Sequence, residues 1–384
     1  MNQVALEKTE KWIQDVLIPC TKAGKSFDVS KEMISITLDA ICKTAFEYEV
    51  SEIEKDNFVN NLELQLKEFL TKSINNPFRK YLGTWIPDRK RALEASKDNS
   101  MFARKIIANY RANPDPLPGT IIDCLCRNPC YANDDELAAD VVLFLTAGHD
   151  VSSIQVLLMR SVVSNPTGID TSTACCQKTS FFLTSINYEF IPFFSFQTTA
   201  YTIAFTLLNL ARNPHEQDKV RNEISAMKNF SFDQGKRCNA LQMAIKESMR
   251  LYPVSASGSS RVCGRDFVTK EGWVIPKGTS VVSHIMMTHR NKNVFGKDAD
   301  EYIPSRWENP TQAQKDSFLL FSAGKQNCVG QALAQAELHC IVPRILSEVE
   351  LEVEEEGSIT WFLTLKPVGA RLKPRKLRSN AMCQ

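Results

Sequence analysis

The sequence predicts a mainly α protein with a small β portion. Apolar residues recur at helical spacing over most of the chain up to Leu251, and short β-like runs are confined to 267–285 and to the tail. No internal repeat is present. At 384 residues the chain could hold one large core or two. It is 43% hydrophobic and 23% charged with net charge +2, an ordinary globular balance that argues against nucleic acid as a partner. The 12 cysteines show no regular spacing and include the adjacent Cys175–Cys176, so they read as reduced thiols in a cytosol-facing protein.

The elements follow in order. Residues 4–17 form a charged amphipathic segment rather than a transmembrane helix. Over 29–46, Met33, Ile34, Ile36, Leu38, Ile41 and Ala45 fall close to a 3.6-residue period, and 57–73, 88–111 and 134–146 read the same way. Asn133-Asp134-Asp135-Glu136 is a helix start with acids in the first turn. The prolines and Gly119 of 113–119 make a loop. The Phe-rich stretch 181–196 is too polar and too short to span a membrane. Helix is expected over 202–213 and again over 331–346. Val274-Ile275 and 280–285 are β-like around the Pro276-Lys277-Gly278 turn; 291–310 is irregular, and 350–372 reads as a hairpin.

The chemistry concentrates in 321–330, FSAGKQNCVG, which sets Phe321, Gly324, Cys328 and Gly330 just ahead of a helix. A lone cysteine is ordinarily a small buried hydrophobe; the spacing is what marks Cys328. Gly324 allows a tight turn with positive φ where a side chain would meet a porphyrin face, and Gly330 lets the backbone lie close to a ring. A helix starting beside the sulfur favours thiolate over thiol. Such a loop suits one cysteine thiolate under a haem iron, and iron–thiolate ligation favours O–O cleavage.

Upstream, Glu247 and Arg250 form an i, i+3 pair. Such pairs are usually solvated decoration, but here Leu241, Met243, Ala244, Ile245, Met249 and Leu251 flank it and point to burial. A buried pair needs further partners, and Arg306 in Pro304-Ser305-Arg306-Trp307 is the candidate.

Together these motifs resemble the cytochrome P-450 family of haem-thiolate monooxygenases. The resemblance rests on Glu247-x-x-Arg250, Arg261, Ile275-Pro276-Lys277-Gly278-Thr279, His289-Arg290-Asn291, Pro304-x-Arg306-Trp307, and the Cys328 loop followed by Ala334 and Glu337. It implies haem b with Cys328 as axial ligand, a buried triad of Glu247, Arg250 and Arg306, and Arg261 paired with a haem propionate. Gln326 stands where the family usually has an arginine; it donates a hydrogen bond without charge, so weaker haem retention is expected.

The family's oxygen-handling helix carries an acid followed by Thr-Thr, a positioned proton relay. Here Ala147-Gly148-His149-Asp150 is followed by Val151, and Thr198-Thr199 comes later, so residues 151–197 split the motif. Valine codons begin GT and one glutamine codon is CAG, the two ends of an intron, and the insert is a whole number of codons; the reading is a retained intron, against a genuine loop insertion. Two continuations compete for the helix, 151–164 and 198–213, and the second, which leads directly into Pro214-His215, is favoured. In the uninterrupted motif Asp150 and Thr198 form the relay and Gly148 gives the kink room for dioxygen. The resemblance further implies an apolar organic substrate, O2, and electrons from NADPH through a reductase. It also implies a location at the cytosolic face of the endoplasmic reticulum, although no anchor is read in this chain. The first strands and a Trp/Arg propionate clamp are expected to be absent at the N-terminus. The expectation is a single partial haem domain over 1–384, interrupted at 151–197. A haem-thiolate isomerase or dehydratase and a non-catalytic gene product stand as alternatives.

Overall fold

The computed structural model describes residues 2–68, 72, 76, 78–82, 85–129, 131–147, 196–258, 260–324, 327–328, 330–361 and 364–377. These form two compact units. One holds the described residues of 1–37 and 196–384, the other those of 38–147.

The larger unit is built around the helix Phe196–Arg212. From Thr199 to Ala211 every residue of this helix is buried, as expected of a helix surrounded by other elements. Its apolar members Ala200, Ile203, Leu207 and Leu210 share one core with Leu241 and Ile245 of the helix Asn239–Leu251 and with Leu338 and Ile341 of the helix Gln331–Glu348. Its polar members are satisfied locally. The hydroxyls of Thr202 and Thr206 donate to the carbonyls of Thr198 (2.7 Å) and Thr202 (2.8 Å), and Asn209 Nδ2 donates to Ser248 Oγ at 3.2 Å. This is how a buried helix carries threonine without orphaned donors. The opening segment is the helix Asn2–Trp12, a short π-helical stretch Ile13–Leu17 and the helix Ile18–Ala23, with Trp12, Ile13 and Leu17 in the same core.

The strands are short and antiparallel. β1 (Phe27–Asp28) and β6 (Val349–Glu355) flank β9 (Arg371–Lys376); β2 (Ser260–Val262) pairs with β5 (Ser280–Val282); β3 (Phe267–Val268) with β4 (Val274–Ile275); and β7 (Ser358–Trp361) with β8 (Leu365–Val368). The tail is therefore not the single hairpin expected from 350–372. The pair β7–β8 sits inside the pair β6–β9, whose register runs from Val349↔Lys376 to Val353↔Leu372 before a bulge. Gly357 makes the nesting possible: its φ is +63°, and a Cβ there would lie 2.4 Å from the Val368 carbonyl oxygen.

The smaller unit is helical, with Glu52–Leu66, Pro87–Ala112, Ile121–Arg127 and Asp134–Ala147 as its main members. Ser51 and Glu54 form a capping box at the first of these. At the last, the Asn133 side chain accepts from the backbone N–H groups of Asp135 (2.9 Å) and Glu136 (3.0 Å), so the helix starts where its acidic first turn placed it. Inside this helix the buried Asp140 accepts from the Tyr131 hydroxyl at 2.6 Å. Among the described residues no helix is long and apolar enough to cross a membrane.

Candidate haem-thiolate site

Every element of the site lies in the larger unit. The Glu247–Arg250 pair sits on the helix Asn239–Leu251, and both side chains are fully buried, at 0% exposure. Arg250 Nε and Nη2 each reach a Glu247 oxygen at 2.8 Å, a bidentate pair. The remaining guanidinium N–H groups donate to backbone carbonyls of His289 (2.9 Å), Ala299 (2.5 Å) and Glu301 (2.9 Å). The Phe295 ring lies 5.1 Å from the Arg250 guanidinium carbon. The charge is thus both paired and fully hydrogen-bonded, as a buried ion pair requires.

Arg306 joins as the third member. It lies on the 3-10 turn Pro304–Trp307, its Nε is 3.4 Å from Glu247 Oε1, and its Nη atoms reach the carbonyls of Phe295 (2.5 Å) and Asp298 (3.0 Å). Its guanidinium also holds the Asp298 carboxyl below the usual range. Two further donors complete Glu247: Trp307 Nε1 at 2.9 Å and the Ile303 N–H at 3.0 Å. Neither was singled out from the sequence, although Trp307 adjoins Arg306 in the motif itself. Tyr302, alongside, donates its hydroxyl to the Ala244 carbonyl at 3.1 Å and is held neutral by burial.

The cysteine loop is a set of tight turns. The Cys328 N–H donates to the Phe321 carbonyl at 2.9 Å and the Asn327 N–H to the Gly324 carbonyl at 3.2 Å. Gly324 has φ +78°, and no atom of the described residues lies within 4 Å of where a Cβ would project, so this residue takes a left-handed turn. Ser322 has φ +59°, a conformation a side chain adopts only when held. Part of that hold is Arg261 on β2, whose Nη2 donates to Ser322 Oγ at 3.3 Å while Nη1 donates to the Ser260 carbonyl at 2.9 Å. Cys328 is buried, with 7% exposure. Its carbonyl accepts the Gln331 N–H as the helix Gln331–Glu348 begins, with Gly330 as N-cap.

The structure brings Cys328, Phe321, Gly324, Gly330 and Arg261 into one loop system, and Glu247, Arg250 and Arg306 into another. Thr198 lies in the first turn of the helix Phe196–Arg212. Gly148, Asp150 and Gln326 lie outside the described residues, as does 151–195 of the expected insert.

Two buried groups carry no sequence signal for their state. Glu337, on the cysteine-loop helix, is 3% exposed with Oε1 unpartnered, and burial pushes its carboxyl up to about 8. His289 is fully buried, and burial first, then the Arg250 charge, pushes its imidazole down to about 4.

Comparison with known proteins gives the family. The family model for cytochrome P-450 matches residues 3–159 and 180–378 and leaves a gap within 151–197. Cytochrome P-450 4F12 of Homo sapiens is 33% identical over 197 residues, covering 46% of this chain and 37% of the human protein. A bifunctional cytochrome P-450/NADPH–P-450 reductase 2 of Bacillus subtilis (strain 168) is 24% identical over 398 residues, covering 98% of this chain and 32% of that protein. The chain thus spans roughly a third of the length of these curated relatives in the aligned regions. The crystal structure of a cytochrome P-450, CYP102L1, superposes with a TM-score of 0.68 at 22% identity, covering 98% of this chain and 74% of that one. With the family model matching most of its length, the chain belongs to the cytochrome P-450 family.

Proposed function

We propose that the protein is a haem-thiolate monooxygenase in which the Cys328 thiolate would hold the haem iron. The observation that carries this is the state of Cys328: a buried thiol at the end of a loop tied down by its own amide and by Arg261, three residues before a long helix starts. The residues fit a haem. The positive-φ Gly324 has no described neighbour within 4 Å of where a Cβ would project, and Arg261 brings a permanent charge to that loop for a haem carboxylate. When bound, the haem supplies oxygen activation: one atom of O2 passes to an apolar organic substrate, the other leaves as water, and NADPH supplies two electrons through a reductase.

The chain's own residues would divide the remaining work. The helix N-terminus beside Cys328 favours its thiolate form. Phe321, Gly324, Gln326 and Gly330 shape the loop, and Glu247, Arg250 and Arg306 brace the polypeptide behind it. In the uninterrupted motif Asp150 and Thr198 would hold and move a proton, and residues 151–197 separate them in this chain. In the same motif Gly148 would give dioxygen room. In this reading the two compact units are parts of one haem domain. The relative that fuses such a domain to an NADPH-dependent reductase supports a reductase partner. An anchored form at the cytosolic face of the endoplasmic reticulum follows from the resemblance.

A carbon-monoxide difference spectrum tests the ligand. The reduced protein is expected to give the thiolate Soret band and Cys328→Ala to lose it; a thiolate band that survives in Cys328→Ala sinks the assignment. A second reading, a haem-binding but non-catalytic chain, draws on the gap in the family match inside 151–197. Deleting 151–197 is expected to restore substrate-linked NADPH consumption with a reductase present. A deletion variant that binds haem and consumes none favours the second reading.

A further inference from the structure

His289 does more than fill the core. Its backbone carbonyl accepts from Arg250 Nη1 at 2.9 Å, which ties the residue to the buried ion pair. Its ring Nε2 lies 3.1 Å from the backbone N of Leu319, the residue that leads into the cysteine loop. Because a backbone N–H can only donate, Nε2 must be the bare, accepting nitrogen and the ring proton must sit on Nδ1. The Leu319 carbonyl in turn accepts from the Ser322 N–H at 2.9 Å, and Ser322 is the strained residue that Arg261 holds. One residue, Leu319, is therefore fixed on both sides, by His289 at its N–H and by the loop's first turn at its carbonyl.

The ring plane is fixed as well. It stacks on Phe318 at 5.3 Å with 7° between planes, Phe318 meets Trp307 edge-on at 5.0 Å, and Trp307 Nε1 donates to Glu247. The contacts close a circuit: Glu247, Arg250, His289, Phe318 with Leu319, Trp307, and back to Glu247. Among the described residues Nδ1 has no hydrogen-bond partner; the backbones of Arg250 and, to a smaller extent, Met249 act on the ring. The helical donor to the Met249 carbonyl would be the N–H of residue 253, which is proline and has none. The fold thus sets a donor against Nε2, and that donor selects the tautomer.

We propose that His289 is a positioning residue: a neutral, Nδ1-protonated imidazole that locks the entry of the cysteine loop to the Glu247–Arg250 pair through the Leu319 N–H. The lock is independent of haem; only its consequence for ligation rests on Cys328 being the ligand.

The direct test is the imidazole nitrogen spectrum of selectively labelled native protein at neutral pH. A bare Nε2 is expected, and a protonated Nε2 overturns the proposal. Two variants then read the consequence. His289→Phe keeps a ring to stack on Phe318 and removes the acceptor, whereas His289→Gln keeps an acceptor at about the place of Nε2. Amide exchange at Leu319 is expected to rise about tenfold or more in His289→Phe, the equivalent of one lost hydrogen bond, while amides in the middle of the helix Asn239–Leu251 stay protected and His289→Gln stays near wild type. In the carbon-monoxide spectrum His289→Phe is expected to move part of the haem from the thiolate band to the band of the neutral thiol, and His289→Gln to restore it. Unchanged exchange at Leu319 in folded His289→Phe refutes the lock. Should His289→Phe fail to fold, the nitrogen spectrum of the native protein still decides. If Cys328→Ala retains the thiolate band, the ligand assignment fails on its own, and the Leu319 exchange result stands.

Discussion

Glu247→Gln keeps the volume of the central acid and removes its charge, so its cost is electrostatic rather than a cavity. In the native site Oε1 accepts from Arg250 Nη2, Arg306 Nε and the Ile303 N–H, and Oε2 accepts from Arg250 Nε and Trp307 Nε1. A glutamine has one acceptor oxygen. Even in its better orientation, with the oxygen at the Oε1 position, its NH2 group faces the N–H groups of Arg250 Nε and Trp307 Nε1. Breaking a buried ion pair from one side costs about 3–5 kcal/mol, and leaving the indole N–H without an acceptor adds about 1–3 kcal/mol. The expected loss is roughly 4–8 kcal/mol, against about 5–15 kcal/mol for the whole stability of a folded protein. The assay is urea unfolding of the haem-loaded protein, followed by tryptophan fluorescence and by the Soret band. With a slope of about 3 kcal/mol per molar urea the midpoint should fall by about 2 M. A shift below about 0.5 M, with haem retained, would refute the argument that this acid is the hub of the buried network.

Two other perturbations follow from the same structure. Glu337 titrates at about 8 in the fold and at 4.5 without burial, so the native state holds a proton the unfolded chain has released across that window; its stabilising effect is complete below pH 4.5 and is lost as pH rises towards 8. Glu337→Gln has no such titration and should gain a few kcal/mol over wild type at pH 8 and nearly nothing at pH 4.5, read as thermal midpoints at the two pH values; an equal gap at both would show that the carboxyl is not held neutral. Arg261→Leu removes the donor to Ser322 Oγ and the charge offered to the haem, a charge-assisted bond of about 1.5–3 kcal/mol, so haem should transfer to excess apomyoglobin about ten- to a hundredfold faster; a change within about twofold would count against it.

The particular residues show how far sequence reasoning reached. Periodicity placed the helix Val29–Phe46 at its observed bounds, because the spacing of apolar residues directly encodes which helix face is buried, and Ala/Gln/Leu-rich composition placed the helix Gln331–Glu348 within two residues. Val274–Ile275 emerged as a strand before the glycine turn, because turn chemistry is local; of the expected 280–285 only Ser280–Val282 is strand, and Ile285–His289 is helical. Arg306 could be nominated because a buried Glu–Arg pair requires another partner. Its distance from Glu247 along the chain, by contrast, is invisible to any local pattern, and the same holds for Trp307 and Ile303, each more than fifty residues away. The tail reads as one hairpin in sequence because alternation records which side of a strand is wet; whether β6 turns back directly or waits for β9 depends on the close approach that Gly357 permits.

Sequence alone therefore determined the mainly helical class, the loop that presents Cys328, the ion pair at Glu247 and Arg250, and membership of a recognisable family. These depend on residue identity at short spacing, where sterics and hydrogen-bond chemistry act within a turn or two of chain. Only the tertiary structure decided that Glu247 accepts from five donors, that Arg261 grips the cysteine loop through Ser322, that Glu337 is buried without a full set of partners, and that His289 links the ion pair to Leu319. Those outcomes are set by which segments meet once the core closes. In that dry interior each polar group must find a partner or change its charge, and the partner comes from whatever part of the chain the packing has brought there.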